Sequence, residues 1–282
     1  MEYNEGSQNP YGIPRFIWGR SGYLGWWVLG AITLVSFSRV AFLAPVAGVF
    51  VVPLEDEFGW SRTTIALALS IGSLLGAFST IIVGRILDRH GGRYFLTGSM
   101  AIAGCLLILL STVEEIWQFY LYFGVGRALI IGVVDVAIIV TIANWFIRYR
   151  GRAMGIMLVG LRMAFGIMPL IVLAVISSAD FRAAFAVIGI LILVLGVLPP
   201  YFLVRRRPED LGLHPDGSVN IPSEKTHPKI GRSDNENLNT DSYDPRWSAR
   251  EAIRTRTFWL LLIGTSQLYL VGGAVNFSIV PF

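Results

Sequence analysis

The ten residues Gly84-Arg85-Ile86-Leu87-Asp88-Arg89-His90-Gly91-Gly92-Arg93 have the form G-x-x-x-D-R-x-G-x-R. They stand between two apolar runs, residues 64–83 and 94–113. Each run has the roughly 20 residues that a helix needs to cross a bilayer. A glycine-rich segment with three arginines and one aspartate between two such runs reads as a tight turn at the membrane surface. There Asp88 and its basic neighbours sit where lipid meets water, and a charge must be paired or hydrated.

Moving outward from this turn, seven runs reach membrane length: residues 25–52, 64–83, 94–113, 117–145, 153–177, 183–203 and 258–282. Charged residues are 15% and hydrophobic residues 54% of the 282-residue chain. Soluble domains carry about one quarter charged residues, so this balance belongs to the integral-membrane class. Lipid offers backbone groups no water, which makes self-satisfied helices the expected form of each span. The short alternating strands of a membrane β-barrel are not found. Residues 1–22 are polar and aromatic, without the apolar core and cleavage site of a secretory signal. Cys105 is the only cysteine, which excludes an internal disulfide and a cysteine-based metal site.

The basic residues give the orientation. Eighteen of the 23 lysines and arginines fall in segments that share one side of the membrane if the N-terminus is on that side. Only Arg62 and Arg182 fall on the other side. By the positive-inside rule the N-terminus is cytoplasmic. The excess of positive charge (formally +4) is thus explained by topology and does not call for nucleic acid. The expected organisation is a cytoplasmic tail over residues 1–22, a six-helix bundle over 23–203, a cytoplasmic linker over 204–256 and a seventh membrane helix over 257–282. The linker is rich in Pro, Asp, Asn and Ser, so its middle is expected to be disordered. At its end Ser248-Ala249-Arg250-Glu251 fits a capping box that would start a short helix.

Four charges fall well inside apolar runs: Arg39, Arg127, Asp135 and Arg162. Each costs about 2.5–3.5 kcal/mol at the centre of a span, so these groups must face protein or a water-filled path. They are the candidates for binding an anionic substrate or for coupling. The competing reading is structural, with arginines bonded to carbonyls or carboxylates. Asp135 follows Arg127 by eight residues, about 12 Å along one helix, too far for a pair between them. Asp135 therefore needs a partner on another helix, or it is a protonated proton carrier. Gly72, Gly76, Gly124, Gly126, Gly155, Gly160 and Gly166 read as close helix contacts. Trp26, Trp27, Trp60, Trp117 and Trp145 read as interfacial anchors.

His90, His214 and His227 are far apart, and no zinc spacing, P-loop, dinucleotide fingerprint or nucleophile elbow is present. No catalytic cluster gathers near one membrane face. The chain reads as no enzyme and as needing no cofactor or metal.

The stretch from Gly84 to Arg93 resembles the loop between the second and third helices of major facilitator superfamily transporters. Gly25-Trp26-Trp27, Phe58-Gly59-Trp60-Ser61-Arg62, Trp145-Phe146, Arg150-Gly151, Ala153-Met154-Gly155 and Arg207-Pro208-Glu209-Asp210-Leu211-Gly212 are similar to the monocarboxylate and oxalate/formate branch. The resemblance implies an all-α fold of two six-helix bundles with substrate between them. This chain holds the N-terminal bundle, the linker and the first helix of the second bundle, so a missing C-terminal bundle is expected. It implies secondary active transport, here of a small organic anion, with a coupled proton or counter-anion as further partner. Gly84, Asp88, Arg89, Gly91 and Arg93 would then form a cytoplasmic gate motif. The expected location is the cytoplasmic membrane of a prokaryote. The alternative is a non-transporting seven-span protein such as a sensor or a partner subunit.

Overall fold

The computed structural model describes residues 23–90, 92–205, 208 and 254–279, with backbone alone at 85, 88–90 and 268–279. Among the described residues every regular element is helical. They fall into two units. The first unit holds six helical spans: Gly25–Val49, Arg62–Gly84, Gly92–Leu110, Ile116–Trp145, Arg150–Ser178 and Phe181–Leu203. The second holds the helix Arg256–Ile279. The middle of the linker and the capping box at Ser248 lie outside the described residues.

Hydrogen bonds at the two ends of the bundle fix the up-and-down path. At one end Tyr23 Oη donates to the Trp145 carbonyl (2.7 Å) and Trp145 Nε1 donates to the Arg205 carbonyl (3.2 Å). At the other end Tyr120 Oη donates to the Thr64 carbonyl (2.8 Å), and Arg182 Nη1 donates to the carbonyls of Ser111 and Val113. Successive spans are therefore antiparallel. The two basic residues on the side poor in Lys and Arg are both tied down: Arg182 by those carbonyls, Arg62 by Glu55 at 2.9 Å.

The first span is the central one, with 61% of its apolar window buried, against 22% for the second and fifth. Those two carry long exposed apolar faces, such as Leu74, Phe78 and Ile82 on the second and Val159, Met163 and Leu170 on the fifth. In water such faces would be a liability; against lipid or another bundle they are at home. The second and fourth spans approach closely because Gly76 faces Ile131 while Gly132 faces Ser79 and the Gly76 carbonyl. The third and sixth meet at Gly104 and Gly189, where a Cβ on Gly189 would stand 2.9 Å from the Gly104 carbonyl. Gly155 and Gly166 have nothing within 4 Å of a would-be Cβ, so the close-contact reading fails for them, whereas the Gly124 carbonyl lies 3.0 Å from a would-be Cβ on Gly72.

Three further expectations need correction. The segment from Gly84 to Arg93 is not a ten-residue turn. Helix Arg62–His90 runs through most of it, and helix Gly92–Leu110 begins two residues later. Trp145 is no interfacial anchor but fully buried, with its indole N–H bonded inside the protein. The first span is not continuous. It is an α-helix over Gly25–Ser38, a 3-10 turn over Arg39–Phe42 and a short helix over Ala44–Val49, with extended backbone at Leu43.

Candidate functional site

The break in the first span follows from its sequence. Pro45 has no N–H to donate, and it sits at the start of the helix Ala44–Val49. The Val46 and Ala47 amides both turn back to the Leu43 carbonyl, at 3.2 and 3.1 Å. The Phe42 carbonyl thereby loses the donor four residues on that a regular helix would supply. A bare carbonyl inside a membrane span is costly, and irregular backbone survives there only where side chains or water replace the lost bonds.

Arg127 of the fourth span makes the replacement: its Nη1 donates to the Phe42 carbonyl. Its Nε donates to Ser73 Oγ of the second span at 2.9 Å. Two glycines make room for this bridge. A Cβ on Gly72 would lie 2.9 Å from Arg127 Cβ, and the Phe42 ring lies directly on Gly126. Arg127 thus joins three spans, and both of these hydrogen bonds go to neutral oxygens.

Asp135 finds the interhelical partner that the spacing required. Arg39, in the 3-10 turn, donates Nη1 to Asp135 Oδ1. The fourth span aims Asp135 by an irregularity of its own, a π-helical turn over Ile130–Val134. Eight residues of regular α-helix would leave Asp135 about 80° around the axis from Arg127. One π turn absorbs one extra residue and reduces the offset to about 20°. Both charges then face the break in the first span. Asp135 remains within Coulombic range of Arg127 as well as Arg39, so two guanidinium groups serve one carboxylate and the cluster keeps one net positive charge. The Arg39 side chain is 11% exposed and Asp135 35%, so access to the pair is from the Asp135 side. Arg39 Nε and Ser36 Oγ are buried with no hydrogen-bond partner among the described residues, which leaves unused donor capacity beside the pair.

The sequence matches the family profile of the Major Facilitator Superfamily over residues 22–282. The chain belongs to the major facilitator superfamily. Among its relatives is the MFS-type transporter 1 of Ophiocordyceps sp. (strain BCC 1869), 28% identical over 204 residues, covering 71% of this chain and 44% of that one. The glycerol-3-phosphate transporter of Bacillus subtilis (strain 168) is 32% identical over 174 residues, 59% of this chain and 38% of the relative. The probable L-galactonate transporter of Escherichia coli (strain K12) is 26% identical over 227 residues, 76% and 45% respectively. The chain spans less than half the length of these relatives. The family and these names point to a transporter and not to an enzyme, and the six apolar spans make the chain an integral multi-pass membrane protein.

Not every candidate residue joins the cluster. Arg162, on the exposed side of the fifth span, makes none of its hydrogen bonds; its guanidinium lies 5.5 Å from the Phe165 ring centroid. Of the major facilitator motif, Gly84 lies in the helix and has open space around it. The side chains of Asp88 and Arg89, and Gly91 altogether, lie outside the described residues. Arg93 is placed against the rings of Tyr94 and Tyr201, at 5.7 and 4.9 Å. Sequence reading missed Ser73 and the Phe42 carbonyl. Pro45 within an apolar run was the available signal for the second, since it predicts a break and hence a free carbonyl nearby. The π turn has no such signal.

Proposed function

We propose that this chain supplies one bundle of a secondary active transporter for a small organic anion, a carboxylate, working by alternating access. The observation that carries this reading is the net positive charge left on the cluster of Arg39, Arg127 and Asp135 at the break in the first span. Two arginines against one aspartate favour a ligand with one negative charge. The buried, unused Arg39 Nε adds donor capacity for its oxygens. Glycerol-3-phosphate and L-galactonate, named in two of the relatives, are both anions, which agrees with the sign of charge at this site. Sequence likeness to the monocarboxylate and oxalate/formate branch favours a carboxylate over a phosphate.

In this reading the substrate carboxylate competes with Asp135 for Arg39. Asp135, displaced, is the group that carries a coupled proton; uptake of one proton per carboxylate leaves the charge of the cluster unchanged. A counter-anion that exchanges at the same arginines is the alternative coupling. Arg162 lines the path further along. A second six-helix bundle closes the path, its first helix being Arg256–Ile279, and the segment holding Gly84, Asp88, Arg89, Gly91 and Arg93 gates its cytoplasmic side. The bias of the basic segments supports an N-terminus in the cytoplasm, and the family resemblance supports the plasma membrane of a prokaryote.

The test is uptake into vesicles containing the full-length protein. Saturable uptake of labelled small carboxylates, inhibited by other carboxylates but not by neutral analogues, is the expected result. Absence of carboxylate uptake by correctly inserted protein overturns the substrate class.

A further inference from the structure

Phe42 is gripped twice by one helix. Its carbonyl accepts Arg127 Nη1. Its ring is fully buried and lies 5.5 Å from the Phe123 ring. The same ring rests on Gly126, where a Cβ would strike its atoms Cε1 and Cζ. Phe123, Gly126 and Arg127 stand at i, i+3 and i+4 of the helix Ile116–Leu129, and positions so spaced share one face. The seat they form has a firm back. Phe123 stacks on Phe119 at 5.5 Å, with the rings 8° from parallel, and Phe119 meets the Trp60 ring at 5.7 Å. Ring pairs have preferred geometries, so the Phe42 ring has one seat and not many.

The seat matters because of what it carries. Leu43, the next residue, is the extended link in the break, so no regular helix fixes the Phe42 carbonyl. The ring fixes it instead, and the carbonyl in turn fixes Arg127. Ser73 Oγ holds Nε and Phe42 holds Nη1, two of the three nitrogens of a planar fork. Nη2 makes no hydrogen bond among the described residues and is not fully enclosed. With the other two nitrogens held, the direction of Nη2 is set. A hydrogen bond to a charged donor weakens steeply with misalignment, so that direction decides how well an anion is held.

We propose that Phe42 and Gly126 are positioning residues for the transported anion: the Phe42 ring, seated on Gly126 against Phe123, holds the Arg127 guanidinium so that Nη2 is presented to the ligand. This rests on the proposed role of Arg127 in binding an anion. It deepens that role by making anion affinity depend on an apolar contact between a ring and a glycine.

Uptake of labelled carboxylate by the full-length protein in vesicles, normalised to inserted protein, separates KM from maximal rate. Gly126→Ala should dislodge the ring and raise KM roughly tenfold, the scale of one hydrogen bond to a charged group, with a smaller change in maximal rate. Phe42→Leu removes Cε1 and Cζ, the atoms that a Cβ on Gly126 would strike. On that background Gly126→Ala should add little, and the double variant should match Phe42→Leu alone within about twofold. Gly155→Ala, with open space around it, should leave KM as in the wild type. A glycine that serves packing alone would cost inserted, active protein and leave KM unchanged; that result overturns the proposal. Effects on KM that multiply in the double variant overturn it too. If Gly126→Ala does not reach the membrane, Phe123→Leu decides, because it removes the ring behind Phe42. A rise in KM of about threefold, the scale of one aromatic pair, supports the proposal, and an unchanged KM overturns it. Absence of carboxylate uptake by the wild type overturns the proposed function and this inference with it. Saturable wild-type uptake with a KM indifferent to Gly126→Ala overturns the inference alone.

Discussion

The side chain of Arg127 completes the backbone of Phe42, from a different helix and 85 residues away. A guanidinium that elsewhere would be free for a ligand is here also the hydrogen-bond donor that makes a broken membrane helix tolerable. Binding and stability are therefore coupled at this residue.

Arg127→Gln should lower both. It removes the donor to the Phe42 carbonyl, and a buried carbonyl left bare costs about 1–3 kcal/mol. Ser73→Ala should cost less, about 1 kcal/mol, because Arg127 keeps its bond to Phe42. Thermal unfolding in detergent orders the two variants; equal destabilisation would contradict the bridging role. Carboxylate uptake should fall sharply with Arg127→Gln and modestly with Ser73→Ala.

The pair of Arg39 and Asp135 should behave as a coupled unit. Arg39→Gln or Asp135→Asn alone strands one charge in the bundle, at about 1–3 kcal/mol, less than for a fully enclosed pair because Asp135 is 35% exposed. The double variant should recover part of that stability without recovering transport. A double-mutant cycle by thermal unfolding checks the first statement, and vesicle uptake the second. Additive losses would show that the pair contributes nothing as a pair.

The π turn sets where Asp135 points. Deletion of one residue within Ile130–Val134 should remove the π turn and leave regular α-helix in which Asp135 stays about 20° around the axis from Arg127, still facing Arg39. In that background Asp135→Asn should destabilise as it does in the wild type, read by thermal unfolding. Loss of the Asp135→Asn effect would mean that the turn does not absorb the extra residue.

Glycines separate into two groups by experiment. Gly132→Ala drives a methyl group into Ser79 and to 2.7 Å from the Gly76 carbonyl, which is backbone and cannot rotate away. A loss of about 1–3 kcal/mol is expected. Gly155→Ala meets nothing within 4 Å and should be neutral or stabilise the fifth span by up to about 1 kcal/mol. Unfolding temperatures of the two single variants make the comparison directly.

Much of this was legible in the residues. Span length is written in hydrophobicity, which is why residues 94–113 and the helix Gly92–Leu110 nearly coincide. Intramembrane charges announce themselves by their cost, and three of the four, Arg39, Arg127 and Asp135, meet around one break. Their partners were not legible, because a partner on another helix depends on how the spans pack. Trp145 misled for the same reason: an amphipathic ring at a helix end suits an interface equally well as a buried junction with an acceptor at hand. The turn is shorter than the ten residues suggest, because the single glycine Gly84 costs a long apolar helix only about 1 kcal/mol and does not end it.

The seating of Trp145 bears on the order of events during synthesis. Its carbonyl is claimed by Tyr23, made 122 residues earlier, and its indole N–H by Arg205, made 60 residues later. Until Arg205 has left the ribosome, the fourth span lacks the protein acceptor for its indole proton at that end. The bundle therefore locks there only after its sixth helix has been delivered to the membrane, and a nascent chain stopped short of Arg205 should remain accessible to protease at that end.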